Sequence, residues 1–187
     1  HITSGEGGAI LTNSQELIDK CKYYKNLCFK DPRFVHDNIG WNYRMSNLQA
    51  ALGLAQLEKL DKHVKKKRYI GNLYNQLLEE KNNFKLQPVK LDYSKNIFWV
   101  FGILLNKNKE LKAAEVMETL KDKNIGSRPF FYPIHLQPVY KNIASFQSIR
   151  HPFSEELAEY GFYIPSGLAL TDLEIGIVSE TINSLFG

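Results

Sequence analysis

The stretch Gly40-Trp41-Asn42-Tyr43-Arg44-Met45-Ser46-Asn47-Leu48-Gln49-Ala50-Ala51-Leu52-Gly53-Leu54-Ala55-Gln56-Leu57 joins a polar, aromatic loop to a helix that carries no charge. Ser46 stands where a side chain caps a first turn. Gln49, three residues on, reaches back to the Ser46 amide, so the pair reads as a capping box that fixes where the helix begins. From Leu48 to Leu57 nearly every face carries Leu, Ala or Gly. That is the pattern of a helix packed on all sides in a large core, not of an amphipathic surface helix. Asn42, Tyr43 and Arg44 then project from the mouth of a buried element, on a loop that the cap holds rigidly.

The chain has 187 residues, 43% hydrophobic and 24% charged. This suits a globular protein of one domain or two small ones, not a disordered tail. Cys21 and Cys28 have neither a metal spacing nor a paired-cysteine pattern around them, which reads as free thiols in a reducing cytoplasm. No apolar run approaches the length of a membrane span, and the start lacks the basic-then-apolar order of a signal peptide. His1-Ile2-Thr3-Ser4-Gly5-Glu6-Gly7-Gly8 opens in mid-motif, so a fragment of a longer chain is expected. The formal charge is +4, and much of it sits in Lys62-His63-Val64-Lys65-Lys66-Lys67-Arg68. A single basic turn without interleaved aromatics is a weak footprint for nucleic acid, and Leu60 and Val64 at helical spacing make it the solvated face of a continuing helix.

Ala9-Ile10-Leu11-Thr12 reads as a short buried strand, and Asn13 with Glu16 as the capping signal of a helix through Leu17, Ile18 and Cys21. Residues 26 to 40 are longer than an ordinary connection. The helix from Ser46 is expected to run past Asp61 toward Leu78, turning basic and amphipathic near Leu60, and the domain boundary is placed there. Beyond it, Phe84-Lys85-Leu86-Gln87 and Ile97 to Leu105 read as strands, the second of them buried. Asn106-Lys107-Asn108-Lys109 turns the chain. Ala113, Val116, Met117 and Leu120 mark a helical face, closed by Gly126 in the place of a C-terminal cap. Thr171 with Glu174 is a capping box for a last helix lined by Ile175, Val178, Ile182 and Leu185. Strands and helices mixed in this way suggest a small α+β domain.

Gly5-Glu6-Gly7-Gly8 precedes a strand and has no following Lys-Ser/Thr, so it is weak evidence for a phosphate loop. The five histidines show no metal spacing, and no serine sits in a nucleophile elbow. Arg128-Pro129-Phe130-Phe131-Tyr132-Pro133-Ile134-His135-Leu136-Gln137-Pro138-Val139-Tyr140 is the other dense cluster, stiffened by three prolines. Two readings stand. Either the loop recognises a polar, anionic ligand, or its aromatics are core and His135 is a satisfied buried histidine.

Taken in order, His1 to Ala9, Gly40 to Leu57, Arg128 to Tyr140, and Pro165-Ser166-Gly167 followed by Leu170-Thr171-Asp172 resemble the DegT/DnrJ/StrS family of sugar aminotransferases, nearest its perosamine synthase group, over the whole chain. The resemblance implies an α/β protein of the pyridoxal-phosphate-dependent aminotransferase fold type I. Residues 1–61 are then the C-terminal part of the large α/β domain, and 62–187 the small α+β C-terminal domain. It implies a cytoplasmic homodimer with shared active sites. With pyridoxal 5'-phosphate as cofactor, the enzyme moves an amino group from glutamate to a nucleotide-linked 4-keto-6-deoxy sugar in polysaccharide biosynthesis, without nucleic-acid, membrane or metal partners. In the family the cofactor-bearing lysine lies immediately before the segment that starts here at His1. No catalytic residue is therefore expected within this chain, and the fragment alone is not expected to be active.

Asn42 matches the asparagine that, in the family, reaches the cofactor phosphate of the neighbouring subunit, and a rigid amide donor at a loop tip suits a phosphate oxygen. Arg44 either contacts a phosphate or ties the loop down. His36 lies near the dimer seam and is a candidate substrate contact. Tyr132 and His135 match the loop over the sugar, whereas Arg128 reads as structural. Trp41, where tyrosine or phenylalanine is usual, leaves the asparagine's role intact. The alternative is a relative that does not transaminate, a dehydratase or a regulatory protein; a histidine in place of the lysine would mark the dehydratase branch.

Overall fold

The computed structural model describes residues 1–78, 83–107, 111–143, 146 and 148–186. The chain divides into two compact units, His1–Asp61 and Lys62–Gly187.

The first unit holds two helices, α1 (Gln15–Lys25) and α2 (Asn47–Leu57). Ser14, not Asn13, caps α1 by accepting from the Leu17 amide, because its extended backbone aims the hydroxyl into the first turn. The expected strand at Ala9–Thr12 does not form: Ile10 and Leu11 are largely exposed and pair with nothing regular. At α2 the capping box is present in both directions, the Ser46 hydroxyl accepting from Gln49 N at 3.3 Å and the Ser46 amide donating to Gln49 Oε1 at 2.9 Å. Two expectations for this helix fail. It stops at Leu57, and a separate helix begins at Leu60 after a turn. Nor is any of its residues buried, Leu48 being 81% exposed. An all-apolar sequence records what a helix can pack against, not whether that surface lies within the same unit.

The boundary between the units falls in the first turn of α3 (Leu60–Leu77). The second unit is built on a four-stranded antiparallel sheet of order β1-β4-β6-β5, where β1 is Phe84–Leu86, β4 Phe101–Leu105, β5 Arg128–Pro129 and β6 Gly161–Ile164. A small hairpin, β2 (Lys90–Leu91) with β3 (Ser94–Lys95), stands apart from it. The helices α4 (Ala113–Asp122), α5 (Pro152–Tyr160) and α6 (Asp172–Phe186) complete the unit. Pairing of Phe101 with Ile164 and of Ile103 with Phe162 puts these side chains and Leu105 on one face. They join Ile70 and Tyr74 of α3, Val116 and Leu120 of α4, and Ile175, Val178 and Ile182 of α6 in one core.

Several local readings are corrected here. The strand expected from Ile97 begins only at Phe101, since Phe98 has a left-handed backbone (φ 49°) that interrupts pairing. α4 closes at Asn124 (φ 58°), whose short polar side chain tolerates that conformation, and not at Gly126. The basic run on α3 is not wholly solvated, because Lys67 is buried. Asn108 and Lys109 of the expected turn lie outside the described residues. The Thr171–Glu174 capping box forms as read, with the Thr171 amide donating to Glu174 Oε2 at 2.8 Å and the Glu174 amide to Thr171 Oγ1 at 3.3 Å.

Candidate functional site

The loop before α2 is held by backbone pairing with the end of α1. Trp41 N donates to Tyr24 O (2.8 Å), Leu27 N to Trp41 O (3.1 Å), and Tyr43 N to Lys25 O (3.0 Å). Gly40 permits this approach: a Cβ there would lie 2.5 Å from Cys28 N, and Cys28 itself is fully buried. Alternation along the extended segment places the Trp41 and Tyr43 rings together, stacked at 6.0 Å, with Asn42 on the opposite side. Arg44 shares that side, and its Nε donates to Asn42 Oδ1 at 2.9 Å.

That one bond settles the chemistry of the pair. A guanidinium can only donate, so it orients the Asn42 amide and occupies its acceptor end. What remains outward is the Asn42 Nδ2 group and the rest of the Arg44 fork, all donors, and no described residue accepts from them. Such a set fits an anion with several acceptor oxygens, a phosphate among them, because two planar donors can share its oxygens.

The glycine-rich segment at the chain's start is tied to the same cap. Gln49 Nε2 donates to Glu6 O at 3.2 Å while its Oε1 serves the capping box. This second role of Gln49 was not legible in sequence, because it joins residues 43 apart. His36 is fixed at one ring nitrogen: Nδ1 lies 2.9 Å from Leu27 O and must donate to it, which leaves Nε2 outward on an exposed ring.

In the second unit, the two residues expected over the sugar have different surroundings. Tyr132 is 56% exposed, and no described residue bonds its hydroxyl. The His135 side chain is only 6% exposed; its Nε2 lies 2.9 Å from Glu155 Oε1, and its ring meets that of His151 edge to face at 5.0 Å. The same Glu155 oxygen accepts from His151 N at 3.1 Å. The hydrogen bond from His135, then that from the His151 amide, holds the Glu155 carboxyl below its ordinary range. Arg128 is exposed on β5 and pairs with Tyr163 through the backbone. The structure thus brings Asn42 and Arg44 into contact, ties His36 to Leu27, whose amide donates to Trp41 O, and separates open Tyr132 from engaged His135. Among the described residues no three His, Cys, Asp or Glu side chains gather as a metal site. No described helix is long and apolar enough to cross a membrane.

Residues 1–183 match the family model described as the DegT/DnrJ/EryC1/StrS aminotransferase family. The chain belongs to that family. A GDP-perosamine synthase of Escherichia coli O157:H7 is 38% identical over 99% of this chain and 49% of its own length. One of Vibrio cholerae is 36% identical over 99% and 50%. The structure of Helicobacter pylori PseC, an aminotransferase involved in the biosynthesis of pseudoaminic acid, superposes with a TM-score of 0.81 at 21% identity, over 94% of this chain and 47% of that one. The chain spans about half the length of the curated relatives it matches. Its architecture is mixed α/β, part of the fold type I architecture of pyridoxal-phosphate-dependent aminotransferases.

Proposed function

We propose that these residues serve a pyridoxal-phosphate-dependent enzyme that transfers an amino group from glutamate to the 4-keto carbon of a nucleotide-linked 6-deoxy sugar. The observation that carries this reading is the bond from Arg44 Nε to Asn42 Oδ1, which turns the loop before α2 into an outward array of donors. Similarity to GDP-perosamine synthases supports the substrate class. The cofactor, when bound, supplies the electron sink.

The chain's own residues do the holding. Asn42 Nδ2 and the Arg44 fork take the cofactor phosphate; the phenol of Tyr132 orients the sugar. His135, with Nε2 engaged by Glu155, offers only Nδ1 to it. His36 presents Nε2 to the substrate. On this reading residues 1–61 close the large domain and 62–187 form the small one. The working unit is a homodimer in which Asn42 of one subunit completes the cofactor site of its partner.

The test is a titration of the intact protein with pyridoxal phosphate, followed by absorbance. One lost hydrogen bond to a charged phosphate costs about 1.5–3 kcal/mol, so Asn42→Ala should weaken the affinity roughly ten- to a hundredfold. A mixed dimer then separates the two geometries. One subunit lacks the cofactor-bearing lysine and the other carries Asn42→Ala. If Asn42 acts across the dimer, one site holds both defects and the other neither, so about half of the wild-type activity returns. Low activity in that dimer places Asn42 in its own subunit's site. An intact protein that binds the cofactor but moves no amino group to any nucleotide-linked keto sugar supports the dehydratase or regulatory alternative.

A further inference from the structure

Lys67 is the one lysine among the buried polar residues described, at 6% exposure, and it has no carboxylate partner there. Its ammonium donates to Trp99 O (2.8 Å), Ser166 O (2.7 Å) and Ser166 Oγ (3.2 Å), three acceptors for three donors. Burial lowers its pKa. A buried charge is tolerated only where its hydrogen bonds are made, and these three fasten it to residues 99 and 166. What it does is seen in the segment it holds. One residue on, Arg68 Nε donates to Asn96 O at 3.2 Å, and a turn further Gly71 leaves the space that the Phe98 ring fills. Consecutive turns of α3 therefore grip residues 96–99 at three points.

Between those points the backbone is strained. Phe98, a bulky residue, has φ 49°, and its amide is held by Asn96 Oδ1 at 2.7 Å. Strain of this kind persists only where the surroundings over-determine it. Its result is a reversal of side-chain direction: Phe98 enters the core at 1% exposure, whereas Trp99 emerges at 59%. The core gains nothing from Trp99. Its indole instead lies parallel to the Phe131 ring, 7° between planes and 6.1 Å between centroids. Phe130, the preceding residue, occupies the notch left by Gly102 on β4 and Gly161 on β6. The two residues before Tyr132 are thus seated, one on the sheet and one on the indole, and Pro133 restricts the chain just after it.

We propose that Lys67 and Trp99 are positioning residues for the sugar-binding loop: the ammonium fixes the Trp99 carbonyl, the indole seats Phe131, and Tyr132 is thereby aimed. The proposal rests on the reading of Tyr132 as a sugar contact.

The experiment uses the intact protein with its cofactor and the variants Trp99→Leu, Trp99→Phe, Lys67→Met and Tyr132→Phe. Two quantities are read: the initial rate of chymotrypsin cleavage at Phe130 and Phe131, identified by fragment mass, and the steady-state constants for the nucleotide sugar. Trp99→Leu and Lys67→Met should each raise the cleavage rate and the KM about tenfold while kcat changes little, the signature of a lost binding geometry. Trp99→Phe, which restores a ring for Phe131 to lie on, should return both. Trp99 is exposed, so its variants remain informative if Lys67→Met folds poorly. Unchanged cleavage and KM in Trp99→Leu, with KM raised in Tyr132→Phe, overturn the positioning role and leave the sugar contact standing. Faster cleavage with KM unchanged in every variant, Tyr132→Phe included, overturns the sugar contact and the proposal with it.

Discussion

Glu155 serves two histidines through one oxygen, accepting from the His135 ring and from the His151 amide. Both bonds favour the ionised carboxylate, and its pKa lies below the ordinary glutamate value of 4.5. A folded-state pKa that is depressed contributes stability above the unfolded value and loses it as pH falls through the folded one. The contribution of Glu155 is therefore complete near neutrality and vanishes in acid, below 4.5. Glu155→Gln should melt lower than the wild type near neutrality, and the gap should close as the pH is taken below that value. A gap that stays constant across the series would show that the carboxylate's charge is not what the two histidines hold. Tyr132, three residues before His135, has no such ties among the described residues, so Tyr132→Phe should leave the melting temperature unmoved.

The helices show which signals a sequence states openly. The capping boxes Ser46–Gln49 and Thr171–Glu174 were legible because all their atoms lie within four residues, although Asn13–Glu16, read by the same rule, gave way to a cap one residue on at Ser14. The donors at Asn42 and Arg44 were legible as residues, yet their mutual bond, which orients the amide, needed the extended backbone that α1 imposes. Lys67 was misread for the opposite reason. Its helix looks solvated at that turn, and the acceptors that bury its charge come from residues 32 and 99 positions away. Gly71, one turn on, is the socket for Phe98. A methyl at Gly71 would overlap that ring, and overpacking a filled core costs about 1–3 kcal/mol. Gly71→Ala should lower the unfolding free energy by that amount in urea, against the slight gain that Ala brings to a free helix. Phe98→Leu in the same chain should recover part of the loss; no recovery would place the clash elsewhere.

The two units differ in what holds them. Among the described residues, Cys28 is the one buried hydrophobic in His1–Asp61; all the others, from Ile70 to Ile182, belong to Lys62–Gly187. Each large side chain fully buried in that second unit contributes about 1.5–3 kcal/mol. The first unit has α1, α2 and the loop between them joined mainly by backbone hydrogen bonds and caps, with Leu48, Leu52, Leu54 and Leu57 of α2 all more than half exposed. Caps and turns without apolar burial do not hold a structure against water, since each net hydrogen bond adds only about 1 kcal/mol. The 187-residue chain studied by itself should therefore show slow amide exchange in β1, β4, β6 and α6, and near-random-coil exchange across α1 and α2. In the dimer proposed above the α2 amides should become protected, because an all-apolar helix gains its stability only once its faces are covered. Strong protection of α2 in the isolated chain would mean that caps and backbone bonds suffice, and the donor loop carrying Asn42 would then stand ready without any further surface to hold it.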